Sequence, residues 1–563
     1  MSAATTLRPA APAPPAPATV AAPARAPGRR RFWLAVAAAL LAGLALRVGI
    51  GATDDAPSTD ETAYLASGLS LVAGDGFARD GRPELHFPPL IPALLGAAGE
   101  VVPDPHTGTV VLTWLSGTAL IVPLALLGRC IGGPRAGLAT AWLAALAPGL
   151  ATTPAARGAG SEAEYALLVV VAAWWTVSAA DHRGARRLAC TAAAGTSLGL
   201  AYLARPEGLL LALPLATAVA VTAWRARPRS PAALGAPLAA FLVPLALCVA
   251  PYAAYLHGNT GRWELTAKAQ DVSIEAWAAV ARGDREARDR VLYSPVGDTW
   301  RVPAAHRPLT ALARDDPGGY AGILATNVVE LAQNVGAWWL LPVPVWLLAV
   351  RAGRRHRRRG PVRLLVAAGL APVATSLAFF VQPRYLVVTV AVAVVLAGVG
   401  LAEVVPRRRR PAAAALGAVL LAASLGAFVG DGGWWHPVDH TDQRRAGEWV
   451  AAHTAPGDRV MMRSFVVEYY AHRPTLAMPY ADLDGILAFA RHYGARWLVV
   501  DQTSAGRVRP QVLPLLDGPP PAGLRLAYAT TDEGRTTRVF ALDPAPPRSV
   551  APPPGLGFMG DGS

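Results

Sequence analysis

The sequence predicts a polytopic α-helical membrane protein of about eleven transmembrane helices, followed by a small extracytoplasmic α/β domain. Three observations support this class. The chain of 563 residues is 53% hydrophobic and only 16% charged, and its mean hydropathy is +0.33. Apolar runs long enough to cross a bilayer, which takes roughly 20 residues, recur through the first 430 positions. Clusters of arginine separate these runs.

The first apolar run spans residues 32–50 and follows Arg29, Arg30 and Arg31. A charged stretch before an apolar one also occurs in signal peptides, but this run is long enough to span and many more follow. We therefore predict an uncleaved first helix with a cytoplasmic N-terminus. The further predicted spans are 107–128, 136–153, 163–180, 187–204, 207–225, 232–256, 331–351, 362–381, 385–404 and 411–429.

The arginine clusters predict the orientation of these spans. With the N-terminus inside, the clusters at 183–187, 225–229, 351–363 and 407–410 all fall on the cytoplasmic side, as the positive-inside rule requires. One missed helix would place the later clusters outside. A net charge of +14 in a soluble protein would suggest nucleic-acid binding. Here its distribution indicates a lipid bilayer, and we expect no nucleic-acid partner.

Composition divides the chain into four parts. The segment 257–330, which is the second of two predicted outer loops, is polar and contains predicted helical stretches such as Ser273–Arg290. The predicted parts are a disordered cytoplasmic tail at 1–28, a transmembrane domain at 29–430 with outer loops at 51–106 and 257–330, an extracytoplasmic domain at 431–545, and a disordered tail at 546–563.

Alternating helices and strands predict an α/β fold for the extracytoplasmic domain. The predicted helices are Thr441–His453 and Leu483–Tyr493. The predicted strands are Arg459–Met462, Arg496–Asp501, Leu524–Thr530 and Thr536–Leu542, of which the last two can pair as a hairpin around residues 532–534.

Motifs of soluble enzymes do not occur in the sequence, which has no P-loop, no Rossmann glycine pattern and no His-Glu-x-x-His. Cys130, Cys190 and Cys248 lie in or beside apolar runs and lack zinc-ligand spacing. We interpret these cysteines as small packing residues.

The loop after the first apolar run carries the most informative pattern. It contains Asp-Glu-x-x-Tyr at 60–64, Gly-x-Gly-Phe at 74–77 and His-Phe-Pro-Pro-Leu-x-Pro at 86–92. As a set, these motifs resemble the first outer loop of the bacterial glycosyltransferase family 39 group, the relatives of protein O-mannosyltransferases and of the aminoarabinose transferase. The resemblance implies the GT-C fold and covers residues of about 30–430.

Asp60 is the candidate catalytic base, since the family's catalytic aspartate falls on the Asp of this pair, and Glu61 is its support or alternative. Neighbouring side chains on a helix face different ways, so only one is expected in the cleft. The competing interpretation of Asp60 is a helix N-cap. By resemblance, His86 occupies the position whose side chain contacts a divalent metal or the donor phosphate in relatives. The alternative is that His86 only forms ordinary hydrogen bonds.

Glu162 and Arg205 lie at two further predicted outer turns. The family carries a second acid at the first turn, so Glu162 is a candidate site carboxylate, although Ser161-Glu162 also suits a helix start. Arg205 breaks the positive-inside trend, and its Arg-Pro-Glu-Gly turn resembles the family. It is a candidate ligand of the carrier phosphate. The alternatives are an ion pair with Glu207 or a snorkelling side chain.

Arg384 and Tyr385 form an Arg-Tyr pair before a late apolar run, a frequent feature of the family. Arg384 is the second candidate for phosphate binding, and Tyr385 either assists it or is an interfacial aromatic residue. Lys268, the sole lysine, lies in a Thr-Gly-x-Trp-x-Leu-Thr-x-Lys pattern that is also similar to the family. It is a candidate for reaching the donor phosphate or sugar.

The resemblance implies an integral membrane glycosyltransferase that moves a sugar from a polyprenyl-phosphate donor to a glycan, glycolipid or protein acceptor on the extracytoplasmic face. A divalent metal ion is the one cofactor it allows, and no second metal ligand is located. Two alternatives belong to other classes. A lipid-linked sugar transporter should carry polar residues or broken helices at mid-membrane, and a non-catalytic envelope assembly protein would not depend on Asp60.

Overall fold

The computed structural model of the protein is mainly helical. It describes residues 27–51, 57, 59–79, 82–102, 104–151, 160–225, 231–267, 279, 282–296, 299–300, 313–338, 340–405, 410–429 and 440–544. Most of the predicted terminal tails and the candidate Lys268 lie outside these ranges.

Helices, most of them apolar, make up most of the described part of the chain before residue 430. They are α1 (Pro27–Gly51), α2 (Thr59–Ala73), α3 (Leu90–Gly99), α4 (Pro105–Ala119), α5 (Ile121–Leu146), α6 (Pro148–Ala151), α7 (Glu162–Ala179), α8 (Gly184–Ala204), a 3₁₀ turn (Pro206–Leu211), α9 (Ala212–Arg225), α10 (Pro231–Thr260), α11 (Arg285–Tyr293), α12 (Pro317–Gly336), α13 (Val343–Arg355), α14 (Gly360–Ala378), a 3₁₀ turn (Pro383–Leu386), α15 (Val387–Val404) and α16 (Arg410–Val429). Two-residue strands pair as β1 (Ala78–Arg79) with β2 (Arg82–Pro83) and as β3 (Pro295–Val296) with β4 (Thr299–Trp300).

Seven helical stretches in the described ranges are long and apolar enough to cross a membrane. They are Arg30–Gly51, Pro105–Leu146, Glu162–Ala179, Pro206–Arg225, Leu234–Thr260, Gly360–Ala378 and Pro383–Val404. The stretch Pro105–Leu146 contains two predicted spans, which separate at Gly133, where φ is 81°. A multi-pass α-helical membrane protein is therefore confirmed, although the predicted number of about eleven spans is not.

The predicted span 331–351 is wrong as a continuous helix. Helix α12 begins at Pro317, within the predicted outer loop, and ends at Gly336. Helix α13 begins only at Val343, after Pro342. The break is stable because the Leu340 carbonyl accepts a hydrogen bond from Gly149 N–H at 2.8 Å. A non-helical backbone inside a bundle requires such internal partners.

The two ends of the helical bundle differ in chemistry. At one end Arg359 donates to the Ile131 carbonyl at 2.6 Å, and His356 Nε2 lies 2.6 Å from Glu403 Oε1. This is the end to which the arginine cluster 351–363 belongs. At the opposite end, buried Arg47 donates to the Leu150 carbonyl at 2.8 Å. The candidate site lies at this second end.

The C-terminal domain has three layers around a mixed five-stranded sheet of order β6-β5-β7-β9-β8. Its elements are α17 (Thr441–His453), β5 (Arg459–Met462), α18 (Phe465–Ala471), β6 (Thr475–Ala477), α19 (Leu483–His492), β7 (Ala495–Asp501), α20 (Gln502–Val508), a 3₁₀ turn (Pro510–Val512), α21 (Pro514–Asp517), β8 (Leu524–Asp532) and β9 (Arg535–Leu542). Strands β5, β6 and β7 are parallel, whereas β9 is antiparallel to β7 and β8.

Apolar side chains that alternate along the strands form two hydrophobic clusters, one on each face of the sheet. In β5, Val460 and Met462 pack with the side of α17 and α18, and Met461 packs with the side of α19 to α21. Successive strand residues face opposite sides of a sheet, so two apolar faces require helices on both sides. The helix at 441–453, the strand at 459–462 and the hairpin were all predicted from the sequence, and the structure contains them.

Buried Asp289 of α11 ties the segment between α10 and α12 to the C-terminal domain. Its Oδ2 accepts from Arg463 Nε at 2.9 Å and from Arg509 Nη1 at 2.8 Å, and its Oδ1 accepts from Arg288 at 2.6 Å. Burial opposes ionisation, but the charges of these arginines outweigh it and hold the pKa of Asp289 well below its usual range. Because the Asp289–Arg509 pair is fully buried, α11 and the C-terminal domain pack together as one unit, which we call the covering unit.

Replacing Asp289 with Asn should destabilise this contact by about 3–5 kcal/mol, because two buried guanidiniums lose their counter-charge. Hydrogen exchange of the full chain in detergent should then be faster in 285–293. Since the folded pKa lies below the unfolded value of about 3.9, the wild-type contact should persist at neutral pH and weaken only as the pH falls below about 4.

The control is Asp532→Asn, because Asp532 pairs with the more exposed Arg445 at 3.3 Å. Such surface pairs contribute at most about 1 kcal/mol. Equal protection of 285–293 in wild type and Asp289→Asn would contradict the role of this carboxylate.

Candidate active site

The first turn of α2 sends two neighbouring carboxylates in different directions. Asp60 Oδ2 lies 2.6 Å from Arg384 Nη1. Glu61 Oε1 lies 2.7 Å from His106 Nδ1, and both of these residues are buried. One member of the pair therefore faces the candidate arginines, while the other anchors α2 against α4.

One carboxylate oxygen of Glu162 contacts two arginines that are far apart in the sequence, Arg205 and Arg384. Glu162 opens α7, and Arg205 follows the last residue of α8. The Oε1 atom lies 2.7 Å from Arg205 Nη1 and 3.8 Å from Arg384 Nε. Only 2% of the Glu162 side chain is exposed, so charge pairing rather than hydration stabilises this carboxylate. Three of the predicted residues thus meet at one atom.

Tyr385 completes the cationic centre. Its ring centroid lies 4.9 Å from the guanidinium carbon of Arg205 and 5.2 Å from that of Arg384. Both contacts have the distance of cation–π interactions. Arg384 Nε also donates to Gln382 Oε1 at 2.8 Å. The Arg384 guanidinium is therefore held both by Gln382 of its own turn and by Asp60 of α2.

A cavity of about 420 Å³ opens beside these arginines. Its polar wall contains His86, Glu162, Tyr165, Arg205, Glu207, Thr266, Arg384 and Tyr385. Its apolar wall contains Leu210, Ala371, Pro372, Phe379, Phe380 and Val387. Asp60 reaches this wall through its contact with Arg384. The cavity thus combines an end that carries guanidiniums paired with carboxylates and a hydrocarbon-like surface.

Two acids in this region were not singled out from the sequence. Glu84 is buried, and its Oε1 accepts from the backbone N–H groups of His86 at 2.8 Å and Phe87 at 3.1 Å. Glu207 was considered only as a partner of Arg205, which it approaches at 3.7 Å, but it also lines the cavity. The signal for Glu84 was its place two residues before the His-Phe-Pro-Pro motif.

The metal hypothesis for His86 stays a prediction. His86 lines the cavity, but in the described ranges no group of three or more His, Cys, Asp or Glu side chains is placed to hold a metal ion. Asp60 and Glu162 point at guanidiniums, which compete with a cation for the same oxygens. The described donors therefore do not fit a metal site.

Comparisons of the sequence with protein-family models and with curated proteins give no match. Comparison of the structure does. ArnT from Cupriavidus metallidurans bound to undecaprenyl phosphate matches with a TM-score of 0.56 and 14% identity, over 92% of this chain and 99% of that chain. The chain has the GT-C fold. The fold expected from the loop motifs is thereby confirmed.

Two other solved structures show the same architecture. The oligosaccharyltransferase AglB from Archaeoglobus fulgidus, in complex with an inhibitory peptide and a dolichol-phosphate, has a TM-score of 0.53 at 14% identity, over 91% of this chain and 74% of that chain. The arabinofuranosyltransferase AftD from Mycobacteria has a TM-score of 0.53 at 16% identity, over 91% of this chain and 40% of that chain. At such identities the likeness concerns the fold.

The Glu61–His106 pair can be tested by a double-mutant cycle. Replacing His106 with Phe should lower the free energy of unfolding by about 3 kcal/mol, because Glu61 then loses a buried partner. Adding Glu61→Gln should restore part of this loss, since no charge remains to be buried. Thermal unfolding of the full chain in detergent measures both effects. His453→Phe, at an exposed histidine, is the control, and strictly additive effects of the two changes would contradict the pairing.

Proposed function

We propose that the protein is an integral membrane glycosyltransferase that moves a sugar from a polyprenyl-phosphate donor to an acceptor hydroxyl at the extracytoplasmic face. One observation carries the proposal. Asp60, Glu162, Arg205 and Arg384 belong to four separate turns, yet their charged groups meet at one end of the bundle. The two guanidiniums of this cluster, beside an apolar cavity, suit a ligand with an anionic head and a hydrocarbon tail.

The structural neighbours support this ligand class. One ArnT structure contains undecaprenyl phosphate, and one AglB structure contains a dolichol-phosphate. A third neighbour is an arabinofuranosyltransferase. Since the shared fold alone does not transfer an activity, the proposal for this chain depends on the charges in its own cavity.

Arg205 and Arg384 are the proposed ligands of the donor phosphate. Guanidinium groups bind phosphate oxygens through paired N–H donors, and both of these arginines line the cavity. The apolar wall of the cavity, which includes Leu210, Phe379 and Phe380, would contact the first isoprene units of the lipid. Tyr385 holds the two cations at a fixed spacing through its ring faces. Lys268, by its position in the sequence, remains a proposed contact to the phosphate or sugar.

Asp60 is the proposed general base. The acceptor oxygen attacks the anomeric carbon, and its proton passes to the Asp60 carboxylate. The bond between the anomeric carbon and the phosphate oxygen breaks, and its electron pair leaves with the lipid phosphate. Arg205 and Arg384 stabilise the negative charge that grows on this leaving group. Attack opposite to the leaving phosphate would invert the configuration at the anomeric carbon.

The two remaining acids have supporting roles in this proposal. Glu162 spaces Arg205 and Arg384 through its shared oxygen. Glu61 fixes the first turn of α2 through His106, so that Asp60 faces Arg384. The arginine-rich turns at 183–187 and 351–363 lie at the opposite end of the bundle, which supports an extracytoplasmic site under the positive-inside rule. The same rule gives a multi-pass cell-membrane protein with a cytoplasmic N-terminus and an extracytoplasmic C-terminal domain.

Replacing Asp60 with Asn should reduce sugar transfer by about 100-fold or more, because positioned proton acceptors typically contribute that much. Membranes containing the variant should be assayed with mannosyl, arabinosyl and glucosyl polyprenyl phosphates, after lipid and glycan profiling of a deletion strain has indicated the reaction. Asp104→Asn is the matched control, since Asp104 caps α4 through His106 and Thr107 N–H groups and an asparagine also caps. Wild-type transfer by Asp60→Asn refutes the base assignment.

Replacing Arg205 or Arg384 with Ala should raise the donor concentration for half-maximal transfer by about tenfold or more, because each removes a charge-assisted contact to phosphate. The corresponding Lys variants separate charge from geometry, since an ammonium lacks the planar fork of a guanidinium. Initial rates against donor concentration provide the measurement. Arg445→Ala, in the C-terminal domain, is the control. Unchanged donor dependence in both Ala variants removes these arginines from the phosphate site.

A further inference from the structure

The carboxylates in direct contact with the two candidate arginines outnumber these arginines. Three carboxylates, those of Asp60, Glu162 and Glu207, lie within 4 Å of two guanidiniums, those of Arg205 and Arg384. Among these direct contacts, three negative and two positive formal charges leave one negative charge, and the guanidinium of Arg285 also interacts electrostatically with Arg384. The cations proposed to bind phosphate are thus already engaged by acids of the same chain.

A donor phosphodiester would add a further negative charge to this cluster. In a partly buried cleft, like charges repel much more strongly than in water. The phosphate therefore cannot simply join the existing contacts. For it to reach Arg384, one carboxylate must give up its place.

The geometry distinguishes the acid that leaves from the acid that stays. The Glu162 side chain is 2% exposed and touches both arginines, whereas the Asp60 side chain is 27% exposed. Asp60 Oδ2 accepts a hydrogen bond from Arg384 Nη1 at 2.6 Å, and Asp60 lies in the first turn of helix α2. We propose that the donor phosphate displaces Asp60 from Arg384 and that this exchange makes the base available; the inference rests on the proposed function.

The exchange couples donor binding to catalysis. While Asp60 is paired with Arg384, the cation stabilises its ionised form and weakens it as a proton acceptor. After the phosphate takes over Arg384, the carboxylate is a stronger base next to the sugar that the phosphate carries. The acceptor hydroxyl can then lose its proton to Asp60 while the anomeric carbon–oxygen bond breaks. Without donor, the base remains bound to the cation.

The same exchange in reverse favours product release. The leaving lipid phosphate is a monoester, which carries more negative charge than the diester donor near neutral pH. It would otherwise bind the arginines more tightly than the substrate does. Once Asp60 has passed its proton to water, the carboxylate competes for Arg384 again and displaces the lipid phosphate. The carboxylate thus competes with the phosphate both at entry and at exit.

Binding of undecaprenyl phosphate, the sugar-free carrier, tests this proposal without requiring turnover. Equilibrium binding of the radiolabelled lipid to the full chain in nanodiscs should be about five- to tenfold tighter for Asp60→Asn than for wild type, because the neutral amide no longer competes for Arg384. Asp104→Asn should bind like wild type. In the Asp60→Asn/Arg384→Ala double variant, the gain in affinity should disappear, since the contested cation is absent.

The outcomes separate this proposal from the proposed function. If the wild type shows no saturable binding of undecaprenyl phosphate, the proposed function fails. If the wild type binds and Arg384→Ala weakens binding, but Asp60→Asn binds equally or more weakly than wild type, only the displacement proposal fails. Tighter binding by Glu207→Gln in place of Asp60→Asn would also overturn it, because Glu207 would then be the acid that leaves.

Discussion

The contact of one Glu162 oxygen with two guanidiniums is the interaction on which the candidate site depends. Arg205 and Arg384 end up near the apolar part of the protein, where an uncompensated charge is costly. Glu162 Oε1 lies 2.7 Å from the first and 3.8 Å from the second. Because these residues come from the start of α7, the end of α8 and the turn before α15, the pairing requires three helix ends to converge. The cavity exists where they meet.

The covering unit constrains the same place from outside the bundle. Helix α18 packs on α2, the helix that carries Asp60, and Tyr469 of α18 packs against the main apolar core. Asp289 ties α11 to the same domain through Arg463 and Arg509. The segment between α10 and α12 also touches the bundle directly, since Tyr202 donates to the Leu265 carbonyl at 2.8 Å. The helical bundle and the C-terminal domain are thus held together beside the helix that carries Asp60.

The sequence predicted those features that local pattern and charge determine. Helix α17 and strand β5 follow from short-range periodicity, and Arg205 and Arg384 stood out because cations at outer turns oppose the positive-inside trend. Features set by long-range contacts were not predictable. The break between α12 and α13 depends on a hydrogen bond from Gly149 to Leu340, residues far apart in the chain. In the sequence, nothing distinguishes Asp289 from other acidic loop residues, because its partners Arg463 and Arg509 are more than 170 residues away.

Arginine is abundant throughout this chain, so composition alone accounts for its presence at the cationic positions, but the geometry of these positions also favours a guanidinium over an ammonium. Arg205 offers Nη1 to Glu162 at 2.7 Å and Nε to Glu207 at 3.7 Å, while its face lies 4.9 Å from the Tyr385 ring centroid. A planar fork can satisfy two acids at its edge and an aromatic ring on its face at the same time. A lysine ammonium, as a compact charge without a flat face, would satisfy fewer of these partners at fixed positions. The arrangement therefore holds Arg205 in place while the proposed exchange replaces Asp60 on Arg384 with a phosphate oxygen.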